Sequence, residues 1–318
     1  MKIVAGLSSI DDYIRLVEAG ADEVFCGYVP YEWNEKYGSL FPLNRREVLY
    51  YNVQIGSLSE MKILKKMVDV YKVPVTITFN YIYYVEEQYE LIEKIMKSLI
   101  DIGFNEFIIA DLALIVYLRK KKLECKIQLS GECAEINRLS IDVFNEFDIS
   151  RYIFHRKNTI EDMKSCINYG SENLEYEAFA LNERCHFTGA FCSSFHCDEL
   201  VHLCKVPYEM GLIESSCSGD FNINKNFAKL SDCDDENESY KLGSTGCGIC
   251  SLKELKDAGV THLKVVGRGN FIDNIEKDVL NLKKAIKMIN VQKSDSEYKK
   301  IVMEKLFKSR CSKECYYK

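Results

Sequence analysis

Residues 75–130 read VTITFNYIYYVEEQYELIEKIMKSLIDIGFNEFIIADLALIVYLRKKKLECKIQLS. Val75–Asn80, Glu106–Asp111 and Lys126–Ser130 are short runs rich in Val, Ile, Thr and Phe, each closed by a polar residue. Between them, Val85–Ile102 and Leu112–Lys121 carry apolar residues at helical spacing. Strand, helix, strand, helix, strand with short joints is the signature of a parallel α/β sheet.

The same alternation extends in both directions. Lys2–Gly6, Glu23–Tyr28, Arg151–His155, Glu175–Leu181 and His262–Gly267 are further strand candidates. Ser9–Ala19, Ser59–Tyr71, Ile136–Phe147, Thr159–Tyr169 and Asn274–Ile289 are further helices. Eight strands in this rhythm predict a TIM-type (β/α)8 barrel. A doubly wound open sheet is the competing architecture. The count of eight, and the lack of a Gly-rich dinucleotide turn after the first strand, favour the barrel. We place the barrel at residues 1–290 and a C-terminal basic tail at 291–318.

The composition is that of a globular chain: 318 residues, 47% hydrophobic and 28% charged, with a formal charge of −6. The acidic balance argues against a general nucleic-acid surface. The tail 293–318, with eight basic and four acidic residues, is the local exception, and we expect it to be a solvated helical end. The N-terminus shows no secretory signal and no run reaches the length of a membrane span, so a cytoplasmic location is expected.

The chain holds 14 cysteines. A core of this size needs no disulfide staples. In a reducing compartment such thiols point to metal binding or catalysis. Cys26, Cys125 and Cys166 sit in or beside predicted elements and read as small core fillers; Cys133 is undecided. Eight others crowd into residues 185–250, a long Ser/Asn/Asp-rich insertion before the last strand. A structureless stretch of that length in a compact domain is usually functional or disordered. No clear seventh helix is visible within it. Thiolates suit zinc or iron–sulfur clusters. Cys247-Gly-Ile-Cys250 is a chelating C-x-x-C, whereas zinc knuckles usually show two such close pairs. The wider spacings lean toward an iron–sulfur cluster, with zinc as the alternative. Cys311 and Cys315 form a C-x3-C in the tail with no assigned role.

Chemistry in a barrel belongs at the C-terminal ends of the strands. Asn80, Asp111, Ser130, His155, Arg156, Glu177 and Arg268 fall there. Arg268, in Gly267-Arg-Gly-Asn270 before a helix, combines a guanidinium fork with helix N–H groups and suits a carboxylate. Of the adjacent His155 and Arg156, at most one should face a pocket. Arg268, Arg156, His155 and Asn80 are the candidate substrate-binding residues; no catalytic residue can be named. The aromatic stretch Tyr28–Phe41 reads as a lid or a loop anchor. No nucleophile elbow, H-E-x-x-H or Cys–His pairing stands out.

Several motifs, in order, resemble the peptidase U32 (collagenase-like peptidase) family. They are Glu18-Ala-Gly-Ala-Asp-Glu-Val-Phe-Cys-Gly27, Ile109-Ala-Asp111, Gln128-Leu-Ser130 with Asn137, Arg151–Arg156, Glu177–Cys185 and Leu263-Lys-Val-Val-Gly-Arg268. Within that family the chain resembles a branch that supports oxygen-independent hydroxylation of a quinone ring or an RNA base. That resemblance implies a [4Fe-4S] cluster, with prephenate as the hydroxyl source. It implies Cys185 and Cys192 as the first two ligands, Cys204 as the third, and Cys247 or Cys250 as the fourth. It also implies an RNA-base or small-molecule substrate and a paired subunit of the same family. The sequence departs from the pattern at three points. Lys157 replaces the Glu of an Arg-Glu pair, Leu181-Asn182 replaces a His-Gly before the first ligand, and Val266 replaces the Glu of the last motif. A collagenase-like peptidase and a non-enzymatic zinc-binding partner subunit are the alternative functions.

Overall fold

The computed structural model describes residues 1–38, 41–45, 53–133, 136–171, 173–185, 240–291, 294–308 and 310–317. Eight parallel strands form a closed barrel in sequence order. They are β1 (Lys2–Leu7), β2 (Glu23–Gly27), β3 (Val75–Phe79), β4 (Glu106–Ile109), β5 (Lys126–Leu129), β6 (Ile149–Ile153), β7 (Glu175–Leu181) and β8 (His262–Val265). Closure is by β1 on β8, with Lys2 opposite His262 and Val4 opposite Lys264. The predicted TIM-type barrel is therefore the fold, and each strand candidate overlaps its strand.

Helices α1 (Tyr13–Ala19), α3 (Leu58–Tyr71), α4 (Glu86–Asp101), α5 (Leu112–Lys120), α6 (Arg138–Asn145), α7 (Ile160–Tyr169) and α9 (Ile272–Ile289) match predicted segments. Their starts are set by local chemistry. Ser57 with Glu60 and Thr159 with Asp162 are reciprocal capping boxes. Asp111 caps α5 by accepting the Leu114 N–H at 2.9 Å. Three helices fall outside the segments read as barrel helices. α2 (Tyr31–Tyr37) lies inside the aromatic stretch, which is an anchor: Trp33 is fully buried and donates Nε1–H to the Phe41 carbonyl at 2.9 Å. α8 (Leu252–Asp257) is the missing seventh helix, only six residues long and too short for a periodic signal. α10 (Asp295–Val302) lies in the tail.

The tail is not a solvated end. Tyr298 and Val302 are fully buried, and the Tyr298 hydroxyl donates to the Ile249 carbonyl at 3.0 Å. The main apolar core lies between the sheet and the helices. Cys26 and Cys166 are buried in it, and Cys125 and Cys133 pack against it half-buried. No helix among the described residues is long and apolar enough to cross a membrane.

Candidate functional site at the barrel mouth

The barrel interior is unusually charged. Side chains at alternate positions face inward. Val4, Phe25, Ile108, Ile153 and Phe179 form one apolar cluster there. Beside it Arg151 binds Glu23 at 2.8 Å and Glu177 at 3.0 Å. Lys264 Nζ lies 2.6 Å from Glu177 Oε1, and His262 Nε2 lies 3.0 Å from Glu23 Oε1. Burial alone would raise the Glu177 carboxyl, but the Lys264 and Arg151 charges outweigh it and hold the group below the ordinary carboxylate range. Glu177 therefore belongs to an ion cluster and not to the open end of its strand. The sequence signal was available: Glu175 and Glu177, like His262 and Lys264, are polar residues two apart in otherwise apolar strands.

Phe25 links this cluster to Arg268. The Lys264 ammonium sits 3.9 Å from the Phe25 ring centroid and the Arg268 guanidinium 5.7 Å from it. Arg268 folds into the barrel. Its Nη1 donates to Gln54 Oε1 and to Thr78 Oγ1, both at 3.1 Å, and its Nη2 donates to the Arg45 carbonyl at 3.3 Å. Gly267 (φ +145°) and Gly269 (φ +98°) supply the backbone path that turns the residue inward. The fork expected to meet a substrate carboxylate thus already holds three protein acceptors.

Most other strand-end candidates also serve the scaffold. Asn80 Oδ1 accepts the Arg45 N–H at 3.1 Å. Asp111 accepts from Tyr84 N–H at 3.1 Å besides capping α5. Ser130 Oγ accepts the Glu132 N–H at 3.2 Å. His155 is buried, and its Nδ1 accepts the Lys157 N–H at 3.2 Å.

Arg156 is different. It lies just past β6, stacked 3.8 Å over the Phe179 ring, and lines a cavity of about 800 Å³. Its Nε has no hydrogen-bond partner among the described residues. Lys157, Arg184, Cys185, Lys299, Cys315, Tyr316 and Tyr317 share that cavity. Two of its cations are matched, Arg184 by Glu314 at 3.0 Å and Lys299 by Glu254 at 2.6 Å. Arg156, and not His155, is among the residues that line this cavity.

The cysteine-rich insertion leaves and rejoins the barrel at this cavity. Beyond β7 the chain enters a left-handed pair, Asn182 (φ +71°) and Glu183 (φ +55°). Asn is the best non-glycine residue for such a turn, which accounts for its standing where the resembling family has Gly. The returning segment pairs against this turn: Asn182 N–H donates to Gly246 O at 2.8 Å, Arg184 N–H to Thr245 O, and Gly248 N–H to Ala180 O at 2.8 Å. Asp278 on α9 ties both flanks, taking Asn182 Nδ2–H and the Tyr240 hydroxyl at 2.7 Å each. Cys185 and Cys247, 62 positions apart, are thereby delivered to the same strand end.

Cys250 follows on the one-turn helix Ile249–Ser251. Cys192 and Cys204 lie outside the described residues, as do Cys197, Cys217 and Cys233. Among the described residues no three His, Cys, Asp or Glu side chains already stand at ligand spacing. The donor chemistry fits a soft metal in so far as Cys185, Cys247 and Cys250 stand at or beside this strand end. In the cavity wall the tail thiols show only their C-x3-C spacing and the tyrosines no signal at all, because nothing local in residues 311–317 says what they pack on.

The architecture is thus a closed parallel barrel with an ion cluster inside and with Cys185 and Cys247 at the C-terminal end of β7. The chain matches the model of peptidase family U32 over residues 8–318, and it belongs to that family. Among solved structures it is similar to the U32 peptidase Mk0906, with 11% identity, 57% of this chain and 69% of that one covered, and a TM-score of 0.43. It is also similar to phosphoribosyl anthranilate isomerase from Thermus thermophilus (6% identity, 92% and 100% covered, TM-score 0.47). A third is dihydrodipicolinate synthase from Bacillus clausii (10% identity, 95% and 78% covered, TM-score 0.46). No curated protein matches the chain.

Proposed function

We propose that this U32-family chain is an iron–sulfur enzyme. Its reaction is oxygen-independent hydroxylation, or a related oxygen or sulfur transfer, on an RNA base, aromatic ring or small metabolite. The observation that carries the reading is the convergence of Cys185 and Cys247 on the end of β7 beside a cavity lined by Arg156 and Lys157. With Cys192 and Cys204 they would supply four thiolates to a [4Fe-4S] cluster, which would provide the electron-transfer chemistry. The cationic wall suits a dicarboxylate such as prephenate, with Arg156 as the bidentate group. Arg268 and the ion cluster beneath it would hold the barrel floor rigid.

The test is anaerobic incubation of the reconstituted chain with prephenate and either total RNA or a quinone fraction. Mass spectrometry should find a product that has gained one oxygen atom, absent with Cys185→Ser. Peptide cleavage that co-purifies with the chain, without any oxygenated product, would favour the peptidase reading.

A further inference from the structure

The tail lays two tyrosines across the mouth of the barrel. Cys247 N–H donates to the Glu314 carbonyl at 2.8 Å, and Tyr316 N–H donates to the Cys247 carbonyl at 2.9 Å. This parallel bridge between Cys247 and Cys315 sets the next two residues over the end of β7. Their hydroxyls are committed to the scaffold. Tyr317 donates to the Phe179 carbonyl at 2.9 Å, and Tyr316 donates to the Asn182 carbonyl. The glycines on either side of Cys247 leave room for the rings. A Cβ at Gly246 would lie 2.7 Å from Tyr316 Cε1, and one at Gly248 would lie 2.9 Å from Tyr317 Cε2.

Both tyrosines are half-buried, and both line the cavity. Tyr316 also packs against the apolar cluster of Val4, Phe25, Ile108, Ile153 and Phe179 inside the barrel. The two rings meet edge to face, with centroids 5.9 Å apart and planes at 70°, so they form an aromatic corner. Arg156 stacks on Phe179, whose carbonyl anchors Tyr317, and its charge acts on both tyrosines. Lys157 lines the same space. The cavity therefore sets two cations beside an aromatic corner that is fixed before any ligand arrives, which lowers the ordering cost of binding.

We infer that Tyr316 and Tyr317 determine the specificity of this cavity. They take the flat face of a ligand ring while Arg156 and Lys157 hold the carboxylate that the ring bears. A small anion would leave the aromatic corner unused, and a neutral ring would leave the cations unused. The inference rests on the reading of this cavity as the substrate site, and adds the tail to that site. It keeps Cys185 and Cys247 in their proposed roles, since Cys247 meets the tail through its backbone N–H and carbonyl.

The experiment compares benzoate with cyclohexanecarboxylate, which have the same charge and nearly the same size but differ in flatness. Binding to the full chain, purified anaerobically, is titrated by saturation-transfer nuclear magnetic resonance. Wild type should bind benzoate roughly threefold to tenfold more tightly, as expected for a ring pair. Tyr316→Leu/Tyr317→Leu should bring the two ligands within about twofold of each other, because no aromatic face remains. Tyr316→Phe/Tyr317→Phe keeps both ring faces and should keep the preference. Arg156→Gln should weaken both ligands about tenfold or more and leave their ratio unchanged. A preference that survives the Leu variant, or one lost equally in the Phe variant, would overturn the inference. Equal binding of the two ligands by wild type, which needs no variant, would overturn the tyrosine wall alone. Binding of neither would overturn it together with the reading of the cavity as the substrate site.

Discussion

Gly27 is the floor against which Arg268 lies. A Cβ at Gly27 would sit 2.6 Å from Arg268 Nη1 and 1.6 Å from the Gln54 Oε1 that binds it. The glycine closing the early Ala-Gly-Ala-Asp motif and the arginine closing the last motif are thus one contact. Gly27→Ala should cost about 1–3 kcal/mol by displacing this packed guanidinium. Combined with Arg268→Ala it should cost less than the sum of the two, because the guanidinium is gone and only the Gln54 side chain, freed of its Arg268 partner, remains to be displaced. Urea denaturation of the two single variants and the double variant measures the coupling, and strict additivity would refute the contact.

Glu177 contributes to the acid limb of stability, together with Glu23 in the same ion cluster. Its folded-state carboxyl is held below the ordinary 4.5 despite burial, by the Lys264 and Arg151 charges. The sign follows directly: a lowered carboxyl adds stability above its unfolded value, and loses it as pH falls through the folded value. Glu177→Gln should destabilise by about 3–5 kcal/mol at neutral pH, since it leaves Lys264 buried without its carboxylate. It should also flatten the loss of stability below about pH 4.5. Urea midpoints across an acid series check both, and an unchanged acid slope would count against this role.

Tyr298 fixes α10 to the turn that carries Cys250. Tyr298→Phe keeps the ring and removes the 3.0 Å bond to the Ile249 carbonyl, which should cost about 0.5–1.5 kcal/mol. Hydrogen exchange should rise first in residues 295–317, ahead of the barrel strands. A uniform rise would mean that the tail and barrel open as one unit.

Arg156 should be the anion contact of the cavity. Arg156→Gln should weaken prephenate binding by about 1.5–3 kcal/mol, a tenfold loss or more. Lys94→Gln, on a helix away from the cavity and paired with Glu32 at 2.6 Å, should leave it unchanged. Calorimetric titration distinguishes them, and equal effects would place the binding elsewhere.

The barrel was legible because parallel strands buried on both faces leave continuous Val/Ile-rich runs, as in residues 106–109, and capped helices separate them. α8 was not legible, because six residues hold too few turns to show a period. The thiol end was read in halves. Cys247 and Cys250 stood out by spacing, and so did Cys311 and Cys315, but only the bridge between Cys247 and Cys315 places one pair on the other. Arg268 carried a true signal of close backbone approach, yet what approaches is Gly27 and the Gln54 side chain. Contacts between residues some 240 positions apart leave no local trace, and polar strand positions in a barrel look alike until closure decides which face each other.

The most direct test of the central claim is the iron and acid-labile sulfide content of the anaerobically purified chain, read with its electron paramagnetic resonance spectrum after reduction. The account predicts about four iron and four sulfide per chain and a cluster signal, both abolished by Cys185→Ser/Cys192→Ser. A colourless chain without iron or sulfide after anaerobic reconstitution would contradict it.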